Sequence, residues 1–157
     1  MSEVLRSSVK DKLAAGGVVS SITVRLVPSV GIVQIVKSAG FDTFYIDLEH
    51  SPLSIETANN LASAAHLAGI DCFARVPANT PDYVSRVLDA GCLGVIAPGV
   101  ESADEARAVV EAAKYAPVGK RGVSGALPQT GYRAIPDLYE TVNAATTVMV
   151  MFESQAA

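Results

Sequence analysis

The sequence predicts an α/β domain of parallel strands, and three observations carry that prediction. Short apolar runs alternate with amphipathic segments, three of the amphipathic segments stop at a glycine, and the connections are short. The stops recur as Ser-Ala-Gly-Phe-Asp at 38–42, Leu-Ala-Gly-Ile-Asp at 67–71 and Asp-Ala-Gly-Cys-Leu at 89–93, each followed by an apolar run. Glycine enters the left-handed region without a Cβ penalty, so Gly40, Gly69 and Gly91 read as helix ends that hand the chain to a strand.

Taken in order, Leu5, Val9 and Leu13 have the spacing of a short amphipathic helix. A strand is expected over 18–27 and a helix over 30–39, stopped by Gly40. The apolar run ending in Asp47, Glu49 and His50 predicts a strand over 42–49. Ser51-Pro52 and Thr80-Pro81 each pair a capping hydroxyl with proline at the first helical position, which predicts helices 52–68 and 81–90. Strands 71–76 and 93–98 follow their glycine stops. Ser102 and Glu105 have capping-box spacing and open a helix over 103–115; a helix over 136–144 and a strand over 146–153 end the series. Ile46, Val76, Val95, Ile96, Val148 and Val150 are expected in a sheet covered by helices. The loop 117–131 is too long and glycine-rich for a simple connector, which marks it as functional. No linker divides 1–157, so one domain is expected. Two architectures fit: a doubly wound open sheet, for which five strands suffice, and a (βα)₈ barrel, for which they do not.

Composition narrows the function. At 157 residues and 50% hydrophobic, the chain can bury a core and is not disordered. A net charge of −4, with no Trp and 6% aromatics, leaves no basic surplus for phosphates, so nucleic acid is excluded as a partner. Glu3, Arg6, Lys10, Asp11 and Lys12 interrupt the amino-terminal stretch, and no apolar run approaches membrane-spanning length, so no membrane partner and a cytoplasmic location are expected. Cys72 and Cys92 each follow a glycine stop, which suits reduced, buried thiols at strand starts.

The chemistry-bearing residues fall where strands end. Asp47 and Glu49 share one strand face, His50 follows them, Arg75 closes Phe-Ala-Arg, and Glu153 closes Val-Met-Val-Met-Phe-Glu. In parallel α/β folds ligands gather at the carboxyl ends of the strands, so these groups should meet at one mouth. Arg75 can clamp a carboxylate with two parallel hydrogen bonds, and Glu153 offers the hard oxygen donors that suit magnesium or manganese. An imidazole such as His50 exchanges protons near neutrality. His66 sits mid-helix and reads as structural or solvated. Lys120-Arg121 before Gly122 could cradle a phosphate, although the loop lacks a P-loop ending; no Gly-x-Gly-x-x-Gly supports a dinucleotide site. Nor does an acidic pair follow the first strand, as a phospho-acceptor receiver would need.

These residues also carry a family resemblance. Gly40-Phe41-Asp42, Tyr45 to Pro52, Ala74-Arg75-Val76-Pro77, Leu88-Asp89-Ala90-Gly91, Ala103 to Arg107, Lys120-Arg121-Gly122-Val123 and Met151-Phe152-Glu153-Ser154 together resemble the HpcH/HpaI aldolases. These are metal-dependent class II pyruvate aldolases such as 2,4-dihydroxyhept-2-ene-1,7-dioate aldolase, to which macrophomate synthase is related. The resemblance implies a (βα)₈ TIM barrel, here the first five βα units of an incomplete barrel, and a divalent metal ion (Mg2+, Mn2+ or Co2+). It implies retro-aldol cleavage of a 4-hydroxy-2-oxo acid, a small-molecule substrate, to pyruvate and an aldehyde, in a closed homo-oligomer. On the matched positions, Arg75 would bind pyruvate's oxygens and the developing enolate, and His50 would act through a metal-bound water on the substrate hydroxyl. Asp47 would orient His50, Glu153 would be the first metal ligand and Glu49 would lie in the metal's outer shell. Gly122 and Ser124 are expected to contact substrate from the loop.

Two features depart from the family pattern. Its second metal ligand, an aspartate on the next strand, lies beyond Ala157, and Met151 stands where several members carry glutamine. The 157-residue polypeptide is therefore expected to self-associate or aggregate and to lack appreciable aldolase activity alone. Two alternatives stand beside the lyase: a catalytically inactive chain that acts by association with another, and an open-sheet α/β binding domain.

Overall fold

The computed structural model describes residues 5–155; Glu3 and Ala157, on which part of the sequence reading rests, lie outside them. In chain order the elements are α1 (Ser8–Ala14), β1 (Ser21–Val24), α2 (Gly31–Ser38), β2 (Thr43–Asp47), α3 (Ile55–Ala68), β3 (Asp71–Arg75), α4 (Pro81–Asp89), β4 (Gly94–Ala97), α5 (Ala103–Ala113), a 3₁₀ turn (Pro128–Thr130), α6 (Leu138–Ala145) and β5 (Thr147–Val150). The strands are all parallel and stand in the order of the chain, β1-β2-β3-β4-β5. That order removes the doubly wound sheet, whose strand order reverses at a switch point, and is the order of successive barrel strands. Among the described residues no helix is long and apolar enough to cross a membrane.

The glycine stops act as the sequence predicts: Gly40, Gly69 and Gly91 have φ of 86°, 66° and 112°. The Ser51-Pro52 prediction needs correction. Helix α3 starts three residues later, where Ser54 Oγ accepts from the Thr57 N–H at 3.2 Å; Ser51 Oγ instead donates to the Asp47 carbonyl and accepts from Leu53 N–H at 3.1 Å. Ser51 thus builds the turn that carries His50, and the helix waits for the next serine. At α5 the box forms with a shift: Ser102 Oγ accepts from Glu105 N–H at 3.2 Å, and Glu105 Oε2 accepts from Glu101 N–H at 2.8 Å.

Period-two alternation divides the sheet between two faces. Phe44, Ile46, Cys72, Ala74, Val95 and Ala97 turn toward the helices and, with Val33, Val36, Leu61, Val84, Val87 and Val109, form the main core; Val148 and Val150 pack against it. Ile96 lies in β4, as expected, on the opposite face from Val95 and in register with Arg75 and Met149. On this inner face Val9 of α1 closes over Phe73 and Leu93, with Tyr45 and Met149 beside them. Gly94 is required there, because a Cβ would stand 2.7 Å from the Thr147 carbonyl oxygen and 2.8 Å from Phe73 Cδ1. Cys72 and Cys92 are free and buried, as expected.

Candidate active site

The register places the site. Asp47 closes β2 directly opposite Arg75, which closes β3, and the odd-numbered residues of β2 share the inner face with both. Asp47 is fully buried. Its Oδ1 accepts from the N–H groups of Glu49 and His50 at 3.1 Å each and from Arg75 Nε at 3.1 Å. Its Oδ2 accepts from Arg75 Nη2 at 2.8 Å and lies 3.3 Å from Arg25 Nε. Burial pushes this carboxyl up, but the hydrogen bonds from Arg75 and the His50 N–H, with the Arg75 charge, outweigh it and leave the pKa below its ordinary value. The same hydrogen bond raises Arg75 above the usual guanidinium value, against the opposing effect of its burial.

Glu49 completes the clamp, with Oε2 at 3.1 Å from Arg75 Nη1. Two hydrogen bonds to Asp47, from Nε and Nη2, fix the plane of Arg75, and Glu49 faces Nη1 as an ion partner without a hydrogen bond. That leaves N–H groups on both terminal nitrogens for a ligand. His50 is exposed, with Nε2 at 3.6 Å from Glu49 Oε2. Asp47 touches His50 through its backbone N–H and not through the imidazole, so the expected orienting contact between the two side chains is absent here; the carboxylate is occupied by Arg75. Glu49 faces Arg75 as its ion partner.

Glu153 lies past the carboxyl end of β5, exposed, with Oε2 accepting from Gly99 N–H at 2.7 Å in the loop after β4. Among the described residues no group of three or more His, Cys, Asp or Glu side chains is placed to hold a metal ion. One carboxylate does not satisfy a hard divalent cation, which takes about six oxygen ligands, so the donors present do not fit a complete metal site.

The loop expected to contact substrate is anchored at the opposite end of the sheet. Arg121 points inward, with Nη2 2.5 Å from Asp89 Oδ1 and its guanidinium 4.6 Å above the Tyr115 ring, so it is unavailable for a phosphate. Asp89 ends α4, next to the start of β4, and Gln129 Nε2 donates to the Leu88 carbonyl of the same helix end. Gly122 and Ser124 lie between these anchors, Ser124 Oγ reaching only the Ala126 carbonyl at 3.4 Å, and neither joins Asp47, His50 and Arg75. His66 is structural, as expected: its half-buried ring donates from Nε2 to the Gly91 carbonyl at 2.7 Å.

Arg25 is the site residue that the sequence reading missed. Besides its contact with Asp47, its Nη2 donates to the His50 carbonyl at 2.7 Å. The signal was present, since Thr23 and Arg25 alternate onto the inner face in line with Tyr45 and Asp47. The expected strand over 18–27 runs past Arg25, whereas β1 ends at Val24 and leaves Arg25 at the strand end.

Comparison with known proteins agrees with this geometry. The family profile of the HpcH/HpaI aldolase/citrate lyases matches residues 28–157. The chain belongs to that family. It is 39% identical over 149 residues to a 4-hydroxy-4-methyl-2-oxoglutarate aldolase of Hapsidospora irregularis, covering 92% of this chain and 55% of that protein. It is 33% identical to the 4-hydroxy-2-oxo-heptane-1,7-dioate aldolase of Salmonella arizonae, covering 98% of this chain and 58% of the relative. The crystal structure of an HpcH/HpaI aldolase from Desulfitobacterium hafniense superposes with a TM-score of 0.85 at 35% identity, over 90% of this chain and 55% of that one. The fold of this HpcH/HpaI chain is thus the first five βα units of the family's TIM-like barrel. The chain spans little more than half the length of the relatives it matches.

Proposed function

We propose that this mouth is the oxo-acid end of a carbon–carbon lyase that cleaves a 4-hydroxy-2-oxo acid to pyruvate and an aldehyde or ketone. The observation that carries the proposal is the Arg75 guanidinium, its plane fixed by two hydrogen bonds to Asp47 and its Nη1 3.1 Å from Glu49, beside the exposed His50 ring. Two N–H groups on one rigid plane match the carboxylate and 2-oxo oxygens of an oxo acid. The two named relatives are aldolases of hydroxy-oxo acids, which supports the same reading.

His50 takes the proton from the C4 hydroxyl as the C3–C4 bond breaks. C4 becomes a carbonyl, and the electron pair passes through C3 to the C2 oxygen as an enolate. Arg75 stabilises that oxygen by a charge already in place before the reaction. His50 then returns its proton to C3, which yields pyruvate and regenerates the base. Aldolases of this family generally use a divalent cation, which would supply further positive charge for the enolate. Glu153 contributes one carboxylate toward such an ion, and no step here is routed through it.

The test is pyruvate release in a polypeptide that carries this segment within a complete barrel. His50→Ala should lower the cleavage rate by about 10²- to 10⁴-fold, and Arg75→Lys, which keeps the charge but loses the fork, should sharply weaken oxo-acid binding. Near-parent values in both variants refute the assignment. A second reading is a non-catalytic chain that works by association with another. Pyruvate release with added magnesium, manganese or cobalt separates the two.

A further inference from the structure

We infer that Arg25 selects oxo acids that carry a second carboxylate, an inference that rests on the proposed reading of Arg75 as the binder of the first. Arg25 follows β1, one strand across from Asp47, and its side chain is 52% exposed, whereas that of Arg75 is 14% exposed. Asp47 does not need Arg25. Its carboxylate already accepts four hydrogen bonds, from Glu49 N–H, His50 N–H and two nitrogens of Arg75, and it stays satisfied if Arg25 leaves. Arg25 spends Nη2 on the His50 carbonyl and holds Nε at 3.3 Å from Asp47, while Nη1 has no protein partner among the described residues.

A guanidinium that is half in water, weakly engaged and tethered beside the mouth is free to take an anion. The spacing is suitable. Arg25 Nε and Arg75 Nη2 meet at the same oxygen, Asp47 Oδ2, at 3.3 and 2.8 Å, so the two cations lie side by side over one carboxylate. In a five-carbon diacid four carbon–carbon bonds of about 1.5 Å each separate the carboxylate carbons, a reach of roughly 5 Å when extended. A ligand of that length can rest its oxo-acid end on Arg75 and its far carboxylate on Arg25. Asp47 and Glu49 already neutralise these two arginines, so Arg25 recognises the far carboxylate through its N–H donors and not through surplus positive charge.

The measurement is calorimetric titration of the full chain with 2-oxoglutarate and with 2-oxopentanoate, which replaces the far carboxylate by a methyl group. The parent should bind 2-oxoglutarate about 10- to 100-fold more tightly, the range for hydrogen bonds to a charged group. Arg25→Met should erase that preference while changing the affinity for 2-oxopentanoate by less than about threefold, and Arg25→Lys should retain part of it. Arg75→Met should weaken both probes. Equal binding of the two probes by the parent overturns the inference about Arg25 alone. A preference that survives in Arg25→Met, or an equal loss for both probes there, also overturns it, the latter because Arg25 would then act only on the His50 turn. Failure of the parent to bind either probe, or indifference of both probes to Arg75→Met, overturns the reading of the mouth itself.

Discussion

Asp47→Asn is the sharpest single test of the mouth, because asparagine has the same shape and the structure fixes which contacts it can keep. Oδ1 still accepts from Glu49 N–H, His50 N–H and Arg75 Nε, so the turn survives. At the Oδ2 position an NH2 group now faces Arg75 Nη2 at 2.8 Å and Arg25 Nε at 3.3 Å, donor against donor. The half-exposed Arg25 contact contributes at most about 1 kcal/mol. The Arg75 pair is different, since Asp47 is wholly buried and breaking a buried pair costs about 3–5 kcal/mol. Glu49 still offsets part of the Arg75 charge, which places the expected loss near the lower end, about 3 kcal/mol. With a urea m-value of about 1–3 kcal/mol/M, the unfolding midpoint should fall by roughly 1–3 M.

The pH dependence sharpens the test. The folded-state pKa of Asp47 is depressed, so its contribution is present above the unfolded value near 3.8 and is lost as pH falls through the folded value. The gap between parent and variant should therefore be constant from about pH 5 to 8 and shrink below about pH 4. Urea titrations followed by far-ultraviolet circular dichroism at several pH values measure both quantities. A midpoint shift below about 0.3 M, or a gap that does not narrow in acid, refutes the argument that Asp47 is the ionised partner of Arg75.

Two further outcomes are expected. Burial depresses the pKa of His66 against the opposing effect of its Gly91 hydrogen bond, so the unfolded chain takes up a proton near pH 6.5 while the folded ring resists it. Stability should be level in this respect above pH 6.5 and decline as pH drops below it; His66→Gln keeps an N–H donor for Gly91 and should flatten that slope, and an unchanged slope in urea midpoints rules out His66 as its source. Strands β1 and β5 are the two edges of the sheet, with Ile22 exposed on one and every residue of the other half-buried, so the 157-residue polypeptide should self-associate in sedimentation; a stable monomer contradicts this.

The fold was legible because its punctuation is local. Gly40, Gly69 and Gly91 need the left-handed region whatever surrounds them, and Ser102 with Glu105 reports a helix start from two side chains alone. The order of strands was not legible, since hydrophobic alternation says that strands exist and nothing about which neighbours pair. Ser51-Pro52 misled for a related reason: a serine before proline caps a helix or closes a turn, and here the Asp47 carbonyl wins the hydroxyl. At the site, strand ends named Asp47, Arg75 and His50 correctly as neighbours. That Asp47 would spend its carboxylate on Arg75 and meet His50 only at the backbone depends on the β2–β3 register, which no single segment encodes.

The long loop shows how the two ends of the sheet divide their duties. Arg121 is buried against Asp89 and stacked on Tyr115, Gln129 ties itself to the end of α4, and Leu127 packs with Tyr115 and Val142 in a small core of its own. Every one of these contacts lies where strands begin. A loop rich in glycine and lysine-arginine looks like a ligand cradle in sequence, yet Arg121 is committed to Asp89 at the end of α4 and to the Tyr115 ring after α5. What remains for chemistry is the other end, where Arg25, Asp47, Arg75 and Glu153 come from four different strands or their immediate continuations. The exposed members, Arg25 and Glu153, can be exchanged without unseating a helix, because the anchors that hold the helices stand at the far end of the strands. On that argument differences in substrate choice among chains of this family should concentrate in strand-end residues such as Arg25, and loop residues such as Arg121 should answer chiefly to stability.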